Sequence, residues 1–348
     1  MRGTVELHAL HPMLEHMNPT GTTGIVTRLR ARAQPTTSEG TEMTYNRISI
    51  HAVALALLLL AGAIAGRSAL AAGDVHLTHI HGMSYSDDGA RLLIPSHHGM
   101  AVFENGKWRK ADGPPHDFMG FSATRDAMYS SGHPAPGSGL INPFGLVKST
   151  DGGKSWNKLG LEGESDFHLV ATGYATQMVY VVNHAKNSRM PTGGLYYTGN
   201  DGQQWTLAQA RQLVGEPRSL AAHPQDARLV AAGTDSGLYL SRNGGNDFER
   251  LSGGAQILGL AFDLDGKNLW FSSYSDKAML ATIALAPKGA KPQTVPIPAL
   301  TQDTVAYIAQ NPARRDEFAI ATFKRHVFVS SDRGKNWRAI ARDGATLP

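Results

Sequence analysis

The chain has 348 residues, of which 41% are hydrophobic, enough to bury the core of one large or two ordinary domains and to exclude wholesale disorder. It contains no cysteine, which excludes disulfide scaffolds, iron–sulfur clusters, cysteine-ligated zinc and cysteine nucleophiles, so any metal chemistry must use other side chains, among them 15 histidines. The net charge of +4 is small for this length, and no run of five basic residues occurs, so nucleic-acid binding is not indicated.

An export signal is predicted near the N-terminus. An apolar stretch runs from Ala52 to Ile64, and the small residues Ala69 and Ala71 stand at the −3 and −1 positions of a cleavage site. Because the stretch is shorter than the roughly 20 residues of a membrane span, a cleaved signal peptide over 43–71 is favoured over an uncleaved anchor. Residues 1–42 then represent an over-extended gene start without a fold of its own.

Cleavage after Ala71 leaves a mature chain of residues 72–348, predicted to be a single domain located in the periplasm or secreted. Residues 1–71 hold six arginines and four glutamates, so the mature chain keeps 27 basic and 25 acidic residues and is nearly neutral. We therefore expect no nucleic-acid partner, no membrane span after cleavage, and a monomer.

A repeat of about 45 residues organises the mature chain. Two segments match S-x-D-x-G-x-x-W, Ser149–Trp156 and Ser330–Trp337, two degenerate copies are Thr198–Trp205 and Ser241–Phe248, and Asn105–Trp108 is a truncated one. The Asp or Asn side chain accepts hydrogen bonds from its own turn and the glycine supplies a positive φ, so each copy predicts a hairpin turn. The pattern resembles the Asp-box, or BNR repeat, of sialidase-like β-propellers, a family in which this box is a structural turn away from the active site.

The spacing of the repeats predicts the number of blades. The aromatic residues that end the five copies are separated by 48, 49, 43 and 89 residues, so one unit without a box is expected around Ile257–Ile283. Six units of about four strands each fit the mature chain. The sequence thus predicts an all-β, six-bladed β-propeller with Asp-box hairpins, with seven blades as the minor alternative; an Ig-like sandwich would leave the repeat unexplained.

In a propeller the innermost strand of each blade lines a central channel, so equivalent positions form rings. The first ring aligned from the inner strands contains His79, Asp117, Asp166, Glu216, Gln256 and Thr304. The second ring, two residues further along, contains His81, Met119, His168, Arg218, Leu258 and Ala306. The aligned ends of the second strands are His97, His133, His184, Thr234, Tyr274 and Phe323.

Histidines crowd the first three predicted blades, since nine of the eleven in the mature chain lie between His76 and His184. Structural need is similar in every blade, so a group present in only half of them indicates a ligand. Imidazoles converging with aspartate suit Cu, Zn or Ni, or the aspartates fix the histidine tautomers; the alternative is a set of polar residues bonded to backbone or water. The predicted metal ligands are His81, His97, His133, His168 and His184, with His79, His98, His116, Met119, Asp117 and Asp166 as neighbours.

Two Gly/Pro-rich insertions, Pro134–Phe144 and Ala185–Gly194, occur in the same histidine-rich blades. Long loops on one sector of a rigid scaffold commonly shape a binding face. No organic cofactor is indicated.

The resemblance to sialidase-like propellers implies glycoside hydrolysis as an enzymatic hypothesis. Sialidases of that fold bind the substrate carboxylate with three arginines and use a tyrosine nucleophile assisted by glutamate, with an aspartate as the acid. In this sequence the early arginine motif is absent, and only Arg218 falls in the predicted rings. Sialidase activity is therefore not expected. A hydrolase using two channel carboxylates is the enzymatic alternative, and its candidate residues are Asp117, Asp166 and Glu216.

The segments HIHGMSYSDDGARLL, residues 79–93, and SHHGMAVFENGKW, residues 96–108, resemble a bacterial family labelled BNR-repeat glycosyl hydrolase that is often encoded near copper-resistance genes. The resemblance covers most of the mature chain, but a fold is a poor warrant for activity, and related propellers bind proteins. We expect an exported propeller that binds a transition metal, copper favoured over zinc, or a small polar ligand, in metal homeostasis or resistance. A glycoside hydrolase and a scaffold for an exported protein partner are the alternatives.

Overall fold

Six antiparallel sheets, each with its strands in chain order, make up the part of the chain that the computed structural model describes, residues 75–348. They form the predicted all-β, six-bladed propeller, so the seven-bladed alternative does not hold for these residues. The predicted gene-start segment 1–42 and signal peptide 43–71 lie outside the described residues and stay predictions.

The strands of the first three blades are β1 (Ser84–Tyr85), β2 (Arg91–Ser96), β3 (Gly99–Glu104), β4 (Lys107–Lys110), β5 (Asp117–Ala123), β6 (Met128–His133), β7 (Leu146–Ser149), β8 (Asn157–Gly160), β9 (Val170–Thr172), β10 (Val179–Asn183), β11 (Gly194–Thr198) and β12 (Thr206–Leu207). Those of the last three are β13 (Pro217–Ala222), β14 (Val230–Thr234), β15 (Gly237–Ser241), β16 (Phe248–Gly253), β17 (Gln256–Phe262), β18 (Asn268–Tyr274), β19 (Ala278–Ala284), β20 (Gln293–Val295), β21 (Val305–Gln310), β22 (Phe318–Thr322), β23 (Val327–Ser330), β24 (Arg338–Arg342) and β25 (Ala345–Thr346). The unit expected without a box is blade 5, β17–β20.

The core is divided among the six interfaces between neighbouring blades. Successive residues of a strand point to opposite faces of its sheet, so Leu92 and Ile94 of β2 pack toward blade 6 whereas Leu93 packs toward blade 2. Equivalent apolar clusters fill the other four interfaces. Each blade therefore buries both faces, which explains why its middle strands are almost continuously apolar.

The ring closes between blade 1 and blade 6. The Leu77 amide donates to the Gly344 carbonyl at 2.8 Å, and the Thr346 hydroxyl donates to the Val75 carbonyl at 2.9 Å. From blade 1, the Trp108 indole N–H donates to the Ile340 carbonyl at 2.9 Å. The segment that leads into blade 1 is thus held along the outer edge of the last blade.

The four longer copies of the repeat form turns with the same hydrogen bonds, which we call box turns. In each, the first Ser or Thr hydroxyl accepts from the amide of the glycine four residues on, at 2.8–3.1 Å. The Asp or Asn side chain accepts from an amide four residues beyond itself, at 2.9–3.0 Å. That glycine has φ between 73° and 86° in every copy, a region that favours glycine. The predicted turn chemistry therefore explains the repeat.

Replacing Ser330 with alanine is expected to lower the free energy of unfolding by about 1 kcal/mol, the usual cost of losing a side chain that caps a backbone amide. Ser330 is 3% exposed and its hydroxyl accepts from the Gly334 amide at 2.8 Å. The exposed neighbour Ser331 is the matched control, and Ser331→Ala should change stability by less than about 0.5 kcal/mol. Equal denaturation midpoints for the two variants would contradict this role of the hydroxyl.

Candidate metal centre

Strand direction places most of the predicted histidines at one end of the channel. Because neighbouring strands are antiparallel, the start of each inner strand lies beside the end of the second strand, as Asp117 lies opposite His133 in register. We call this end the histidine mouth. The box turns join third to fourth strands and hence lie at the opposite end, consistent with a structural role.

Three histidines from blade 1 meet at the histidine mouth. One ring nitrogen from each of His79, His81 and His97 lies within 4.8 Å of the others. His79 and His81 belong to the segment that enters β1, and His97 directly follows β2. We call these three histidines the triad. Its shortest contact is 2.6 Å, between His97 Nε2 and His79 Nδ1.

Asp117, at the start of β5 in blade 2, fixes the orientation of the triad. Its Oδ2 accepts a hydrogen bond from His97 Nδ1 at 2.7 Å. When Nδ1 of a neutral His97 ring donates, its Nε2 carries the lone pair, and His79 Nδ1 then donates to it. A carboxylate that holds the far nitrogen of a histidine is the usual support of a metal ligand.

Burial favours the neutral form of two of the triad histidines, His81 and His79. Burial lowers the pKa of His81 to about 4, because the surrounding protein disfavours the charged ring more than Asp117 favours it. Burial also lowers the pKa of His79, with a further contribution from His97 and Arg325. Neutral imidazole is the form that binds metal, so burial favours the metal-binding form of both rings, and His81 keeps that form down to about pH 4.

A second group at the same mouth consists of Asp166, His133 and His168, and in this group the pKa values of the histidines are raised. Asp166 Oδ2 lies 2.7 Å from His168 Nε2 and 3.2 Å from His133 Nε2. The hydrogen bond to Asp166 raises the pKa of His133 to about 9, and it also raises the pKa of His168. Burial alone would raise the pKa of Asp166, but the two histidines outweigh it and hold that pKa below its usual range. This group therefore favours the protonated form of its two histidines beside an ionised carboxylate.

The predicted ligand His184 and the predicted neighbours His98 and His116 lie apart from the triad. His98 and His184 are exposed, and neither makes a side-chain hydrogen bond or ion pair within residues 75–348. His116 is buried against Phe118 and Phe144, and its Nδ1 accepts from the Ala135 amide at 3.0 Å, so it anchors the following loop.

Two further predicted residues, Met119 and Glu216, lie outside the triad. Met119 is 3% exposed and packs inside blade 2, because a β-bulge after it turns Gly120 toward the channel instead. Glu216 is exposed and pairs with Arg218 at 3.0 Å. Neither contacts the triad.

Asn142 was not singled out by the sequence, yet its side-chain oxygen accepts from His133 Nδ1 at 2.7 Å. It lies in the Pro134–Phe144 insertion, whose position in a histidine-rich blade was the one available signal. Arg325 was also missed; it donates to the Thr78 carbonyl at 3.1 Å beside the triad.

Comparison with solved structures supports the fold, whereas comparison with known sequences finds no match. No protein-family model matches the chain, and no curated protein matches its sequence. The GH74 enzyme of Niastella koreensis matches 77% of this chain with a TM-score of 0.52 at 14% identity, over 46% of that enzyme. The extracellular domain of the putative one component system BT4673 from B. thetaiotaomicron matches 79% of this chain and 36% of that one, with a TM-score of 0.51 at 11% identity.

A chain of the nidogen/laminin complex matches over 71% of this chain and 91% of its own length, with a TM-score of 0.52 at 11% identity. The present chain spans less than half the length of the GH74 enzyme it matches. At these identities the likeness establishes a shared β-propeller fold alone. Within residues 75–348, no helix is long and apolar enough to cross a bilayer.

Proposed function

We propose that this propeller binds one divalent transition metal ion at its histidine mouth through the nitrogens of His79, His81 and His97, with Asp117 Oδ1 as an oxygen donor. The observation that carries the proposal is a pair of buried atoms, His81 Nε2 and Asp117 Oδ1, which lie 3.6 Å apart and have no hydrogen-bond partner among the described residues. A buried polar atom without a partner costs about 1–3 kcal/mol. A cation held between the two atoms would satisfy both.

The spacing of the donor atoms suits an ion after a small adjustment. Ligand atoms that lie about 2.0–2.1 Å from a tetrahedral ion are about 3.3–3.4 Å from one another. The 3.6 Å between His81 Nε2 and Asp117 Oδ1 is close to that value, while the 2.6 Å between His97 Nε2 and His79 Nδ1 is shorter. The latter two rings would separate by less than about 1 Å, and the proton of His79 would move from Nδ1 to Nε2 of the same ring, so that Nδ1 can face the ion.

Copper is the favoured ion, with zinc second. Imidazole suits both metals, and a given nitrogen site binds Cu²⁺ more tightly than Zn²⁺. The resemblance of residues 79–93 and 96–108 to a family encoded near copper-resistance genes supports the same choice, and the four alike box turns support membership of the Asp-box propellers. With the predicted signal peptide, we propose an exported protein of metal homeostasis or resistance.

Glycoside hydrolysis receives less support from the carboxylates at the mouth. The general acid of a glycosidase needs a raised pKa, whereas two histidines hold the pKa of Asp166 below its usual range. Asp117 accepts from His97, and Glu216 is paired with Arg218.

Titration of the full chain, purified without a histidine tag, with Cu²⁺ and with Zn²⁺ tests the proposal. We expect one tight, saturable site, and a loss of at least about 10- to 100-fold in affinity for Asp117→Asn, since removing even a carboxylate that only supports a ligand costs this much. Asp112→Asn, which changes a 75% exposed carboxylate, is the matched control and should bind as the wild type does. Absence of a saturable site in the wild type would overturn the function.

A further inference from the structure

The central channel below the histidine mouth is lined by charges of one sign. Its cavity measures about 250 Å³ and is bordered by residues from all six blades. Its lining contains Arg218, which is always charged, and His168, whose pKa is raised, beside the neutral His81, and within residues 75–348 no aspartate or glutamate lines it. In a cleft with low-dielectric walls such a lining concentrates positive potential, so the channel selects for an anion.

Arg218 is the permanent cation of this lining. Its side chain is 38% exposed, and one guanidinium nitrogen lies 3.0 Å from Glu216 Oε2. Arginine has five N–H donors, and Arg218 makes no other ion pair or side-chain hydrogen bond within residues 75–348. The remaining donors form a fork that matches the two oxygens of a carboxylate.

His168 adds to the positive character on the neighbouring blade. Its Nε2 is engaged by Asp166 at 2.7 Å, and that bond raises the pKa of His168, while Nδ1 makes no described hydrogen bond. The side chain therefore still presents one donor near the channel.

Apolar side chains complete the same cavity. Leu258 and Ala306 occupy the ring positions that hold His81, His168 and Arg218 in blades 1, 3 and 4. Phe323, a channel-lining residue at the end of β22, is 41% exposed. One side of the channel entrance is thus cationic, while the other side is hydrocarbon.

We propose that the channel entrance binds a small organic monocarboxylate, with its carboxylate on Arg218 and its hydrocarbon chain against Leu258, Ala306 and Phe323. The proposal rests on the proposed function in one respect only: an ion on His81 would add positive charge beside the carboxylate and tighten its binding. Arg218 provides a partner with or without the ion.

Calorimetric titration of the full chain with butyrate tests the proposal. We expect Arg218→Gln to weaken butyrate binding at least tenfold, and lengthening acetate to butyrate to raise affinity about fourfold per buried methylene. Arg228→Gln is the matched control, because Arg228 lies in the same blade, is 75% exposed and pairs with Asp226 outside the channel. Butyramide, which has no charge, should not bind measurably.

Equal butyrate affinity in the wild type and Arg218→Gln, or butyramide binding as well as butyrate, would overturn the carboxylate site. Copper titration separates this failure from failure of the metal site, since Arg218 is not one of the proposed ligands and Arg218→Gln should bind copper like the wild type. A wild type that binds butyrate but not copper would retain the carboxylate site and lose the proposed function.

Discussion

A variant with His79, His81 and His97 all replaced by alanine is expected to lose its saturable copper and zinc binding. The loss should exceed the roughly 10- to 100-fold effect of removing a supporting residue, because all three proposed nitrogen ligands are gone. The exposed pair His76 and His98 provides the control, and His76→Ala/His98→Ala should keep the site. Four histidines that precede residue 75 are present in every sample and so cancel in the comparison.

The same variant should lose stabilisation by metal. At a free-ion concentration one hundred times the dissociation constant, binding stabilises a folded chain by about 2.7 kcal/mol. For a domain of this size that corresponds to about 5–10 °C in the melting temperature. Copper that raises the melting temperature of the triple-alanine variant as much as that of the wild type would contradict the triad as the site.

Replacing Trp270 with alanine is expected to lower the free energy of unfolding by about 3–5 kcal/mol, the usual cost of removing a buried large aromatic side chain. Trp270 is 1% exposed, stacks on Phe318 of the next blade with ring centroids 4.3 Å apart, and donates its indole N–H to Asp263 at 2.5 Å. The deletion would both open a cavity between blades 5 and 6 and leave that carboxylate short of a donor.

Trp270→Phe provides the control, since it keeps most of the ring and loses the N–H donor. Chemical denaturation should place it between the wild type and Trp270→Ala. The triad lies in blade 1, so the phenylalanine variant should bind copper like the wild type. A Trp270→Ala protein as stable as the wild type would show that blades 5 and 6 do not depend on this contact.

The fold could be predicted because the box turn is a local device. Its hydrogen bonds join residues four positions apart, so the pattern of Ser, Asp and Gly is visible in the sequence at every repeat. The channel ring could be predicted because side chains alternate along a strand, so equivalent residues of successive blades point the same way. His81, His168 and Arg218 line the channel as the alignment predicted.

The remaining placements depended on local departures from the repeat. The inner strands of blades 4, 5 and 6 bulge at Arg218, Leu258 and Ala306. In blade 2 the bulge instead follows Met119, the aligned residue, and brings Gly120, with φ of 50°, to the channel wall. Beside His184, the Asn183 amide donates to the carbonyls of Ala185 and Thr192 and draws the loop over the strand end. The ring of His184 faces solvent there. Neither effect has a sequence period, so alignment of blades could not find it.

A metal ion at the triad should make the seam between blades 1 and 6 harder to pull apart. Leu77 is bonded to Gly344 in the last blade, and only one residue separates it from His79. An ion shared by His79, His97 and the neighbouring Asp117 would therefore tie the closing segment to blades 1 and 2. Pulling on the chain just before residue 75 would then have to break metal coordination before the first blade could peel away, so metal loading should raise the unfolding force at this seam.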